Sequence, residues 1–117
     1  MADINKIRTD LYSDIDFNYY FITNDIHPSN TLFSYFNILE EHYHFLAYMS
    51  KLIDDGKIID TGTHRGGSSL ALSYNKSNTV YTYDIQEYKG GIANNVRNVP
   101  SNIISHCPHS ILDLMRN

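Results

Sequence analysis

An α/β protein built on a small parallel sheet is what the sequence predicts, and three observations predict it. Between Lys57 and His106, three β-type runs are separated by helix-type or glycine-bearing stretches. The first run ends on a carboxylate, Asp60, and passes directly into a glycine loop that opens a helix. Ahead of them lies an apolar stripe at three- and four-residue steps, long enough to cover one face of a sheet.

The stripe comprises Leu32, Phe36, Leu39, Tyr43, Leu46, Met49 and Ile53. It fits one helix over 31–53, or two joined near Glu40-Glu41, with Ser29 or Asn30 as the cap. Asp54-Asp55-Gly56 stops it, and Gly56 is expected to take the left-handed conformation there. Upstream, Ile4, Ile7 and Leu11 have the spacing of a brief helix. Asp14 to Asp25, with Phe17, Tyr19, Tyr20 and Phe21, reads as an extended segment or loop that packs its rings on the domain. His27-Pro28-Ser29-Asn30 reads as a turn, since the residue before proline is pushed out of the helical region.

Lys57-Ile58-Ile59-Asp60 reads as a buried strand, and Ser68 to Tyr74 as a helix. Thr79 to Ile85 is β-branched and aromatic, hence a second strand. Glu87 to Val99 reads as a weak helix broken by Pro100, and Asn102 to His106 as a third strand. Ser110 to Met115 begins another helix, with Ser110 as N-cap and Asp113 three residues on. Strands alternating with crossovers of fixed hand give a parallel sheet. The division is therefore a helical cap over 1–56 and a sheet-bearing segment over 57–117.

Composition narrows the function classes. The chain has 117 residues, enough for one domain, and 42% hydrophobic content excludes a disordered polyelectrolyte. A net charge of −4 argues against a nucleic-acid partner. A single cysteine, Cys107, excludes an internal disulfide and cannot build a structural zinc site alone. No apolar run approaches the ~20 residues of a membrane span, and the polar first ten residues are unlike a signal peptide. The expected location is the cytoplasm.

The chemistry concentrates in Ile58-Ile59-Asp60-Thr61-Gly62-Thr63-His64-Arg65-Gly66-Gly67-Ser68-Ser69. Gly62 permits a sharp turn without a Cβ in the way. Gly66 and Gly67 allow a ligand or a neighbouring strand to approach the backbone. Asp84, closing the next strand, can accept hydrogen bonds from the two hydroxyls of a ribose. The glycines fall at 62, 66 and 67, so they do not match the dinucleotide fingerprint G-x-G-x-x-G. Gly67 precedes Ser68 without the lysine of a phosphate-binding P-loop.

Asp60-Thr61-Gly62-Thr63-His64-Arg65-Gly66-Gly67-Ser68-Ser69 resembles the first motif of class I S-adenosylmethionine-dependent methyltransferases, over a region from roughly Lys51 to His109. The resemblance implies a Rossmann-like parallel sheet. This chain offers about three strands of it, an incomplete set, as in the first half of such a domain or a shortened relative. It also implies that Asp60, Gly62, Thr63, His64, Gly66, Gly67 and Ser68 serve the methionine end of S-adenosylmethionine. Asp84 matches the acid that binds the ribose, and His109 falls where the family places residues beside the adenine. The expected activity is methyl transfer to a small-molecule or sugar-type acceptor, with no catalytic base assigned. A non-catalytic binding module is the alternative, and another nucleotide-binding protein is a third reading that the glycine spacing disfavours.

Plainer roles stand beside these. His64 is expected as an exposed loop residue ahead of a general base, because methyl transfer depends chiefly on alignment, and Asp60 could merely cap the turn that follows it. His42 and His44 lie two apart on a helix, point to different faces and cannot chelate one metal together. His106-Cys107-Pro108-His109 lacks a second ligand pair, so no metal is expected. The first strand is expected to keep a free edge, which invites pairing with a second copy.

Overall fold

The computed structural model describes residues 12–38, 40–61, 65–83 and 92–106. The expected helices near the N-terminus and from Ser110, and the sites Gly62, Thr63, His64, Asp84 and His109, lie outside the described residues. Within them the protein is a mixed α/β structure. Its elements run α1 (Phe17–Thr23), β1 (His27–Pro28), α2 (Asn30–Ile38), α3 (Glu40–Lys51) and β2 (Lys57–Thr61). They continue with α4 (Gly67–Leu72), β3 (Thr79–Tyr83), β4 (Val96–Arg97) and β5 (Ile103–His106).

The principal sheet is parallel, in the order β2-β3-β5. Register aligns Ile59 with Tyr81 and Tyr81 with Ile104, while the tips Thr61, Tyr83 and His106 end side by side. A second, minimal sheet pairs β1 with β4 antiparallel, His27 opposite Arg97.

Successive residues of a strand point to opposite faces. Val80 and Thr82 are fully buried and Ile103 nearly so, under a core that includes Leu32, Leu70 and Ala71. The intervening residues Ile59 and Ile104 are 56% and 40% exposed. Helices cover only the first of these faces among the described residues.

Several elements differ from the sequence reading. The segment expected to be extended forms α1 instead. Asp16 sits in extended backbone and accepts a 3.0 Å hydrogen bond from the Tyr19 amide, satisfying an otherwise orphan helix-start donor. Phe17, Tyr20 and Phe21 are buried at helical spacing, so the rings do pack on the domain. The expected turn at His27-Pro28 contains β1, and Ser29 accepts from the Leu32 amide at 3.2 Å as the cap of α2. Of the two arrangements the stripe allowed, the structure has the second: two helices, α2 and α3, that meet next to Glu40-Glu41.

Asp55, not Gly56, takes the left-handed conformation after α3, at φ 54°. The first sheet strand is not buried but lies at the sheet edge, with alternate residues exposed. Val96, expected in a weak helix, belongs to β4.

Asparagines fasten the carboxyl end of α3. Asn78, 1% exposed, donates to the Ser50 carbonyl at 2.9 Å and accepts from the Gly56 amide at 2.8 Å. Asn75 donates to the Ser50 and Ile53 carbonyls. These contacts satisfy carbonyls that a helix end leaves without internal partners.

Candidate functional site

Parallel pairing places the carboxyl ends of all three strands together, and ligands of such sheets bind beyond that edge. Residues 62–64, 84–91 and 107–117 each continue from one of these tips. Asp60 sits one residue before the tip of β2. Its Oδ2 accepts hydrogen bonds from Ser68 Oγ at 2.9 Å and Thr82 Oγ1 at 3.2 Å. The first ties strand to helix across the loop, and the second ties β2 to β3. Asp60 and Ser68, both predicted site residues, are therefore brought together.

Gly66 has φ 96°, a conformation that side chains rarely adopt, and a Cβ there would come within 2.7 Å of Ile92. At Gly67 a Cβ would collide with the Tyr43 hydroxyl. Both glycines are buried. The close approaches they permit here are made by the protein's own side chains, Ile92 from the β3–β5 connection and Tyr43 from α3.

Three further features mark this end of the molecule. Tyr43 belongs to the first turn of α3 and is only 6% exposed. Its ring stacks on Phe36 at 4.3 Å, and Phe36 in turn meets Phe17 edge-on at 4.8 Å. Aromatic pairs of this kind contribute ~0.5–1.5 kcal/mol beyond area burial. Burial holds the Tyr43 phenol above its ordinary pKa, with Tyr35 and the Asp60 carboxylate adding to the effect.

The second feature is Arg65, half-buried, with its guanidinium 6.0 Å from the centre of the Tyr35 ring. The third is a stack at the strand tips, where His106 lies on Tyr83 at 4.7 Å with the rings 8° from parallel. Only the cross-strand register, Tyr83 opposite His106, brings those rings together.

Elsewhere, His44 packs edge-on against Phe17 at 4.9 Å, while His42 is exposed. No group of three or more His, Cys, Asp or Glu positioned for a metal occurs among the described residues. No helix among them is long and apolar enough to cross a membrane. Compared with known proteins, the chain matches no family model, no curated protein and no solved structure.

Proposed function

We propose that this chain is a Rossmann-like, S-adenosylmethionine-binding domain of the methyltransferase type, acting in the cytoplasm on a small-molecule or sugar-type acceptor. The observation that carries the reading is the side-by-side ending of β2 and β3, with Asp60 at one tip and Asp84 following Tyr83 at the other. An adenosine laid across those tips would meet a ribose-binding acid on one strand and a glycine-bearing loop on the other. Asp60, Gly62, Thr63, His64, Gly66, Gly67 and Ser68 would serve the amino-acid end of the cofactor, Asp84 the ribose, and His109 the adenine. The chemistry supplied by the bound cofactor is an electrophilic sulfonium methyl group. The chain's own part is alignment, which can account for much of a transfer rate.

Titration calorimetry tests this. S-Adenosylmethionine and its demethylated product should bind one per chain, and Asp84→Ala should weaken both by about tenfold or more, as expected for a lost hydrogen bond to a charged group. Equal binding of NAD, or no binding of either sulfur ligand, would refute it. A second reading, a binding module without catalysis, draws support from Asp60, whose Oδ2 is engaged by Ser68 and Thr82 as a structural pin. Binding without turnover across acceptors would favour it.

Among the described residues β2 pairs on one side only, and its other edge is where a second copy would add. Antiparallel pairing of two β2 strands about a twofold axis sets the exposed Ile59 against its own copy and joins two three-stranded sheets.

A further inference from the structure

We infer that the helical cap carries a ligand site of its own, a cavity of about 280 Å³ between α1, α2 and α3 that takes a small organic cation with a flat apolar body. None of its lining residues comes from the sheet or the glycine loop, so the inference goes beyond the cofactor reading and does not rest on it. The volume is at the small end of ligand pockets, which span ~300–1,000 Å³.

The floor is apolar. Phe17, Phe21 and Phe36 line the cavity and are 7%, 5% and 5% exposed. Phe17 and Phe21 each meet Phe36 edge-on, at 4.8 and 5.3 Å. Phe33 lines it too and is 41% exposed, an apolar ring that the helices leave in water. Asp16 supplies the charge. Among the described residues lining the cavity it is the only Asp, Glu, Lys or Arg. Its Oδ1 is fixed by the hydrogen bond from the Tyr19 amide, and none of the described cations pairs with it. Asp14, two residues earlier, differs, because Lys51 pairs with it. One carboxylate is thus neutralised within the chain and the other is left to the cavity. Asn37, exposed near the end of α2, adds an amide oxygen that can accept from an ammonium group.

These groups select the ligand class. The carboxylate repels anions, and the apolar floor returns little to a hydrated sugar or a bare metal ion. A flat ring over the phenylalanines, with an ammonium reaching Asp16 and Asn37, satisfies both halves of the cavity. Attraction between a cation and aromatic faces adds to the same preference.

The test uses phenethylamine, with phenylacetate and phenethyl alcohol as anionic and neutral counterparts of similar size. Titration of the full chain, followed by amide chemical shifts, should give phenethylamine a Kd of about 1 mM or below. The shifts should centre on the stretches from Asp16 to Phe21 and from Phe33 to Asn37. Phenethyl alcohol should bind about fivefold more weakly, and phenylacetate more weakly still. Asp16→Asn keeps a residue that caps α1 equally well. It should weaken phenethylamine about fivefold and leave phenethyl alcohol unchanged. Phe33→Ala should weaken both ligands alike, by about threefold or more. Equal affinity for phenethylamine and phenylacetate, phenethylamine affinity unmoved by Asp16→Asn, shifts confined to the strand tips, or no binding at about 5 mM overturns the inference. If Asp16→Asn does not fold, the comparison with phenylacetate decides alone.

Discussion

The two faces of the β2-β3-β5 sheet are made by alternate residues of the same strands, yet they have opposite fates. On one, Val80 and Thr82 are fully buried and Ile103 is 8% exposed beneath the helices. On the other, Ile59 and Ile104 meet solvent, although both are as apolar as their buried neighbours. Side-chain type therefore does not decide which face is covered. The placement of α4 in the crossover, and of α3 beside it, does. Parallel sheets ordinarily have both faces covered, whereas on this face Ile59 and Ile104 are 56% and 40% exposed and only Tyr83 at the tip is buried among the described residues of these strands.

The sharpest way to break this comparison is to place a charge on each face. Val80→Asp buries a carboxylate without a partner and should cost more than about 3 kcal/mol, or prevent folding, as judged by chemical denaturation. Gly66→Ala comes next. It combines a positive φ with a Cβ that strikes Ile92, and should cost about 2 kcal/mol on the same measurement. Preserved stability would mean that the loop before α4 rearranges freely.

A smaller effect concerns pH. Burial raises the phenol pKa of Tyr20 and Tyr43 above 10.0. The stability linked to these neutral phenols is therefore complete below the unfolded value and lost as pH rises through the folded values. Thermal midpoints should fall on the alkaline side of about pH 10, and Tyr20→Phe should remove part of that fall. Smallest is Ile59→Lys on the open face, expected to change monomer stability by no more than about 0.5 kcal/mol. Light scattering on the same variant should show loss of any dimer formed through β2; a dimer that persists would place the contact elsewhere.

The sheet was largely legible in the sequence. Two β-branched or apolar runs and a short third one sit at the spacing of crossovers, and β2, β3 and β5 fall where those runs predict. What failed was local ambiguity. Phe17, Tyr20 and Phe21 have helical spacing, but a short aromatic-rich stretch has equal β character, and the Asp16 cap settles it as a helix. The Ile58-Ile59 pair reads alike in a central or an edge strand, because burial depends on what lies alongside. At the candidate site, the Asp60 tip and the glycine at 66 followed from the motif. Tyr43 and Ile92 did not, since each meets its glycine only through the packing of distant segments. No local pattern encodes such a partner.

The asparagine pair at the end of α3 has a mechanical consequence. Asn75 and Asn78 hold that helix at Ser50 and Ile53, while Tyr43 stands toward its opposite end. A rod anchored so far from its other end behaves as a lever with its fulcrum at the asparagines. At 1.5 Å of rise per residue, a swing of ~5° about Ser50 carries Tyr43 by roughly 1 Å. That displacement is about a third of a hydrogen-bond length, so loosening the anchor would alter the loop geometry without touching the loop.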